Sequence, residues 1–278
     1  MLRLSPSGGY GQTTGPGAAL EARRGDLSLP RRLRPFFRRR KRFTRLARLA
    51  YETLKELLQA AGGSHTAVPG AIACLQSAGN LLDWHPHVHL LIAWGLFRRD
   101  CSFLPVEGTP DPETVARLFR HKVLRMLLAE GAIEEHVVGN LLAWPHTGFG
   151  AHVSREIPAD GKTPATVARY MTRPPITPER MLAEASSARV IYRSDIVHPR
   201  HQANFRVFDP LDFLAEVSAH IPDAHEKTTH EGHRRDRTAG DHPADPRSPW
   251  PPHRITPASR ATRPACSTAP RVVLRTAL

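Results

Sequence analysis

The sequence predicts an α+β fold: an antiparallel sheet carrying a run of histidines, flanked by helices, between disordered N- and C-terminal flanks. Three observations point there. Two short apolar runs, AIACLQSAG (71–79) and HVHLLIAWGLF (87–97), are joined by the seven residues Asn80–Pro86, a length that suits antiparallel neighbours. Helix-start signals with proline in the first turn recur at Asp111-Pro112, Thr163-Pro164, Thr177-Pro178 and Asp209-Pro210. Apolar periodicity is confined to the middle of the 278 residues.

In chain order, residues 1–27 show no period and are expected to form a disordered leader. Residues 28–66 form a basic helical segment, in which Leu46, Leu49, Ala50, Leu54, Leu57 and Leu58 fall at helical spacing. That spacing predicts one amphipathic helix from about Phe43 to Ala61. The core then runs over residues 67–225. After the two strands, Asp111 caps a helix with a buried stripe at Val115, Leu118, Phe119, Val123, Met126 and Leu127, closed by Gly131. A helix from Thr163-Pro164 carries Val167, Ala168 and Met171 and stops at Pro174-Pro175. Two short helices begin at Thr177-Pro178 and Asp209-Pro210, and between them ARVIYR (188–193) and NFRVF (204–208) read as a hairpin. Residues 231–278 hold eight prolines and nine arginines but only five residues among Ile, Leu, Val, Met and Phe, so 226–278 is expected as a disordered tail.

The net charge of +13 is uneven. Residues 1–50 carry thirteen basic residues against two acids, whereas the middle of the chain is slightly acidic. Arg31, Arg32, Arg34, Arg38, Arg39, Arg40, Lys41 and Arg42 lie in a stretch with no acid, which makes them candidates for phosphate contact as well as for plain solvation. The three cysteines, Cys74, Cys101 and Cys266, are too few and too scattered for a disulfide scaffold or a four-cysteine zinc site. No apolar run reaches the roughly 18 residues of a membrane span. The expectation is a reduced, cytoplasmic, nucleoid-associated chain with no membrane partner. No Gly-rich phosphate loop, serine elbow or HExxH helix is present, and no organic cofactor is expected.

The informative segment is Asp83-Trp84-His85-Pro86-His87-Val88-His89-Leu90. Strand alternation puts His85, His87 and His89 on one face and Val88, Leu90 and Ile92 on the other. Two imidazoles at i and i+2 can converge on one cation. Gln76 on the neighbouring strand could supply a third ligand, and His85 is its rival. Three histidines alone would suit Zn²⁺; two with an amide oxygen also admit Mg²⁺ or Mn²⁺. Tyr170 is the other residue of interest. It lies off the centre of its helix's buried stripe, between Arg169 and Arg173, where a tyrosine is either packing or a phenol positioned beside guanidiniums.

His87-Val88-His89 resembles the His-hydrophobic-His pair of the HUH single-strand endonucleases. The closer likeness is to rolling-circle insertion-sequence transposases, including those of common-region elements. It rests on SLPRRLRPFF (28–37), LQSAGNLLDWHPHVHLLIAWGLF (75–97), WPHTGFGAHVSREI (144–157), VARYMTRPPITPERM (167–181) and FDPLDFLAEVSAHIPDAHEKTTH (208–230). The resemblance implies that 67–225 is an HUH-type nuclease core with His87 and His89 as metal ligands, Gln76 in the place of the family's glutamine and Tyr170 as nucleophile. It implies a divalent cation, Mg²⁺ or Mn²⁺ before Zn²⁺, a 5′-phosphotyrosine link, and single-stranded DNA at element ends as partner. Arg169 and Arg173 would contact that DNA. Thr166 stands four before Tyr170, so the likeness is to a single-tyrosine branch. The family's cysteine-rich N-terminal module and its aromatic continuation beyond His230 have no counterpart here, and the expectation is a chain truncated or frame-shifted at both ends.

Overall fold

The computed structural model describes residues 21–100, 102–144, 148–154, 157, 166, 167, 171, 174, 176–184, 188–198, 202–221, 230, 231 and 274–276. Its main sheet is built on β2 (Ala71–Ala78) and β3 (Trp84–Ala93), the two expected strands, which pair antiparallel with Leu75 opposite Val88 and Gln76 opposite His87. The connection is shorter than the seven residues expected, because β3 already begins at Trp84. The sheet continues through β1 (Ala22–Ser28) to β6 (Gly150–Val153), both antiparallel to their neighbours. A separate ribbon pairs β4 (Gly95–Phe97) with β5 (Phe103–Pro105).

β1 corrects the expected leader, since residues 22–27 are sheet. Its inward residues are Arg23, Gly25 and Leu27, too thin an apolar signal to be read as a strand. Gly25 fits a close approach there: a Cβ would stand 3.1 Å from the Leu54 side chain above it, which would have to give slightly. Pairing to both β3 and β6 supplies the backbone hydrogen bonds that the side chains do not advertise.

Two helices cover one face of this sheet. α1 (Arg40–Ala61) starts three residues before the expected position and turns Phe43, Leu46, Ala50, Leu54 and Leu58 inward. It ends where the Gly62 N–H donates to the Leu58 carbonyl (2.8 Å). Residues Arg31–Arg38 are not part of it. They form a 3₁₀ helix that buries Leu33 and Phe37. α2 (Pro112–Ala129) follows the expected capping, with the Thr114 N–H donating to the Asp111 carboxylate (2.9 Å) and Gly131 at φ +61° closing the end. Val115, Phe119 and Val123 are fully buried beside Val88, Leu90 and Ile92 in one continuous core, so the basic segment and the sheet are not separate bodies. α3 (Glu135–Ala143) was not anticipated; of its residues only Leu141 is buried.

A smaller sheet orders β7 (Met181–Glu184), β8 (Arg189–His198) and β9 (Ala203–Phe208). The expected hairpin is β8–β9. The helix expected at Thr177-Pro178 is instead one 3₁₀ turn, Pro178–Arg180, leading directly into a strand that pairs with β8. α4 (Pro210–His220) follows from Asp209-Pro210 as expected. The helix expected after Thr163 lies largely outside the described residues, although Thr166, Val167 and Met171 are helical. Within the tail expected to be disordered, β10 (His230–Glu231) and β11 (Leu274–Thr276) pair with the outer edge of β2, whose free backbone groups accept any short extended segment. The rest of that tail lies outside the described residues. Among the described residues no helix is long and apolar enough to cross a membrane.

Candidate functional site

The face of the main sheet turned away from α1 carries the chemistry. Register puts Cys74, His89, Asp26 and His152 in one row across β2, β3, β1 and β6. Gln76, His87 and Ser28 form the next row. His85 follows on the same face of β3, with ring centroids 5.0 Å from His85 to His87 and 4.8 Å from His87 to His89. The alternation read from sequence is thus the one found: Val88, Leu90 and Ile92 are fully buried on the opposite side.

Each of the two central imidazoles has one nitrogen committed. His87 Nδ1 donates to the His85 backbone carbonyl (2.6 Å), and His89 Nδ1 donates to the Asp26 carboxylate. A donor at Nδ1 fixes the tautomer and leaves the Nε2 lone pair as the coordinating atom, the arrangement metal-binding histidines usually adopt. Burial, reinforced by the neighbouring His89, pushes the His87 pKa down to about 3. Burial, then the charge of Arg34, pushes His85 down to about 4. Both rings are therefore neutral nitrogen donors at neutral pH. Burial alone would raise the Asp26 carboxyl, but the hydrogen bond and charge of His89, with Arg24 at 2.8 Å, outweigh it and hold the group below its usual range. Asp26 has no local sequence signal. It is a lone acid in a Gly- and Arg-containing stretch, 63 residues from its partner. The only clue was chemical: a histidine ligand needs an outer acceptor.

Gln76 lies directly opposite His87, and its Nε2 donates to the Met171 backbone carbonyl (3.1 Å). The amide oxygen is left for other use, and the segment adjoining Tyr170 is tied to the histidine face. Tyr170, Arg169 and Arg173 themselves lie outside the described residues. Among the described residues no group of three or more His, Cys, Asp or Glu side chains is disposed to hold a metal ion, so His85, His87 and His89 do not form a tri-histidine cluster. Two imidazole nitrogens with an amide oxygen remain a donor set that fits a divalent cation.

The basic segment divides. Arg34 is half-buried and pairs with Asp83 (3.4 Å), Arg42 pairs with Glu130 (2.7 Å), and Arg40 donates to the Ile221 carbonyl at the end of α4. These three are structural whatever else they touch. Arg31, Arg32, Arg38, Arg39 and Lys41 are exposed. Arg38 lies over the Trp84 ring (5.7 Å) and Arg32 over Trp144 (4.7 Å). The two tyrosines within the described residues are packing groups. Tyr51 is buried and donates to the Pro69 carbonyl (3.1 Å), and Tyr192 is buried in β8.

The Y2_Tnp family model, a transposase family, matches residues 70–232, which hold β2, β3 and the Tyr170 segment. The chain belongs to this transposase family. It is also similar to the transposase for insertion sequence element IS801 of Pseudomonas savastanoi pv. phaseolicola, with 26% identity over 181 residues, covering 56% of this chain and 40% of that protein. The chain thus spans about two-fifths of the length of this curated relative. No solved structure matches. Together these likenesses support a DNA transposase of the insertion-sequence kind.

Proposed function

We propose that this transposase cuts and rejoins single-stranded DNA at the ends of an insertion sequence, through a rolling-circle, HUH-type reaction with Tyr170 as nucleophile. The observation that carries the reading is the pair of Nδ1 hydrogen bonds on His87 and His89, which leaves both Nε2 atoms uncommitted on the face that also carries Gln76, itself bonded to the Met171 carbonyl next to Tyr170. His87, His89 and Gln76 would hold a divalent cation, Mg²⁺ or Mn²⁺ in preference to Zn²⁺. Such a cation, when bound, withdraws charge from the non-bridging oxygens of the scissile phosphate as it builds there. Asp26 and the His85 carbonyl keep the two rings from turning, so no reorganisation is needed when the phosphate arrives. Tyr170 Oη loses its proton and forms a bond to phosphorus, while the bond from phosphorus to the 3′-oxygen breaks and that oxygen leaves as a 3′-hydroxyl. One phosphate ester replaces another, and the reverse attack rejoins the strand. Arg169, Arg173 and the exposed cations of the basic segment would bind the DNA backbone. In the cell the chain would act in the cytoplasm at the nucleoid.

The test is a mixing assay with purified protein, Mg²⁺ or Mn²⁺, and labelled single strands from element ends. Tyr170→Phe removes one hydroxyl and keeps the ring, so it should bind DNA normally and form no covalent adduct. Tyr51→Phe and Tyr192→Phe should form it. An adduct of equal yield from Tyr170→Phe refutes the nucleophile. DNA binding with no adduct from the unmutated protein identifies a remnant that binds without cutting.

A further inference from the structure

Between the Arg31–Arg38 3₁₀ helix and α3 runs a groove of about 610 Å³, lined by Arg32, Leu33, Phe36, Asn140, Leu141 and Trp144 among others. The volume is in the range of pockets that accept a small molecule. Its walls are mostly apolar, with an aromatic ring, a guanidinium and an amide among them. Trp144 is only partly buried, and its ring already has a planar cation on it, the Arg32 guanidinium at 4.7 Å. Asn140, exposed at the rim, offers an amide that can both donate and accept. The cations Arg31, Arg38, Arg39 and Lys41 are exposed on the same segment, and none of them stands in for core packing. One wall of the groove adjoins the histidine strand: the 3₁₀ helix begins three residues after Ser28, which lies opposite His87, and its Arg34 carbonyl accepts from Trp84 Nε1 at the start of β3 (2.9 Å).

A flat aromatic face, a stacking guanidinium, an amide and exposed positive charge on the adjoining chain are the parts with which proteins hold an unpaired base and its phosphates. We propose that this groove is a stacking site for a base of single-stranded DNA, with Trp144 as the platform and Arg32 either sandwiching the base or turning out to its phosphate. The proposal rests on the DNA-cutting reading above and adds the place where the strand is gripped. Duplex DNA, whose bases are already stacked, does not enter.

The experiment compares binding of a labelled dT oligonucleotide, the same length of abasic strand, and a duplex, across a salt series. Unmutated protein should hold dT at least about tenfold more tightly than the abasic strand. Trp144→Leu keeps apolar volume in the groove but has no aromatic face. It should lose about tenfold or more of its affinity for dT, lose none for the abasic strand or the duplex, and keep the same slope of log affinity against log salt. Trp144→Phe should retain most of the affinity. Changing Arg39 and Lys41 to Gln should instead flatten the slope, by roughly 0.7 per lost contact, for dT and the abasic strand alike. Equal binding of dT by Trp144→Leu, or equal binding of dT and abasic strand by the unmutated protein, overturns the proposal. The adduct assay run beside it separates the failures: adduct formation with an indifferent Trp144 sinks the groove alone, whereas a protein that binds no single strand sinks the DNA-cutting reading and the groove together.

Discussion

The main sheet and the smaller three-stranded sheet are built to different standards. The main sheet is sealed on one face by α1 and α2, and in the core between them Val88 and Leu90 of β3, Phe43 and Leu54 of α1 and Phe119 of α2 are wholly excluded from water. Among the described residues, the smaller sheet has a core of three buried residues, Leu82, Tyr192 and Phe208, and one of these is borrowed from the loop before β3. Met181, Val190, Phe213 and Val217 pack against it only partly buried, and other large apolar groups are exposed: Ile196 at 61%, Phe205 at 48% and, on α4, Leu211 at 79%. Apolar burial contributes stability roughly in proportion to area, so the smaller sheet leans on the larger one. The contact is specific. His220, buried at the end of α4, donates from Nε2 to the Leu82 carbonyl (3.0 Å) and accepts at Nδ1 from the Ser77 hydroxyl (3.0 Å). Leu82 is held there at φ +63°, a conformation unfavourable for a branched side chain, because its side chain is fully buried and its carbonyl is bonded. The comparison teaches where geometry can be held. The histidine row sits on the well-packed sheet, and the segment bearing Tyr170 leads from it to the looser one.

Phe43→Ala and Phe208→Ala probe the difference most strongly. Emptying the site of Phe43, which is fully buried and 5.7 Å from Trp84, should cost about 3–5 kcal/mol and shift the global unfolding midpoint. Phe208→Ala should mainly release amide protection in β8 and β9 while β2 and β3 stay protected. Equal loss of protection in both sheets would show one cooperative unit and dissolve the distinction.

His220→Ala tests the joint itself. It leaves the Ser77 hydroxyl and the Leu82 carbonyl without their partner, and a cost of about 1–3 kcal/mol in chemical denaturation is expected. A change near zero would mean that the smaller sheet is held by something other than this joint.

Acid should act on the histidine face first. His85 and His87 have folded-state pKa values of about 4 and about 3, below the ordinary 6.5. The unfolded chain therefore takes up more protons below pH 6.5, so stability present above that pH drains away as the pH falls toward 4 and then 3. Melting temperatures measured with chelator from pH 7.5 to 4.5 should fall more steeply for the unmutated protein than for His85→Gln with His87→Gln. Parallel curves would place the acid sensitivity elsewhere.

Much of this was legible in the sequence where the pattern is local. The two central strands, the Asp111 cap and the β8–β9 hairpin follow from alternation, capping chemistry and spacing. β1 was illegible because its inward positions are Arg23 and Gly25. Asp26, the acceptor that fixes His89, was missed with it. The basic run looked uniform because charge has no partner in a one-dimensional reading. Only the fold shows that Arg34, Arg40 and Arg42 are spent on Asp83, α4 and Glu130, while Arg31, Arg39 and Lys41 face outward. α3 gave too weak a stripe, with one buried residue in nine.

The central claim is that the His87–His89 row is the working face of this transposase, and that the fold does not depend on it. Covalent adduct formation with a single-stranded element end, in Mg²⁺ or Mn²⁺, measures this directly for His87→Ala and His89→Ala. The account expects adduct to vanish in both variants while circular dichroism at pH 7 remains that of the folded protein. Adduct formed at the unmutated rate by either one would contradict it.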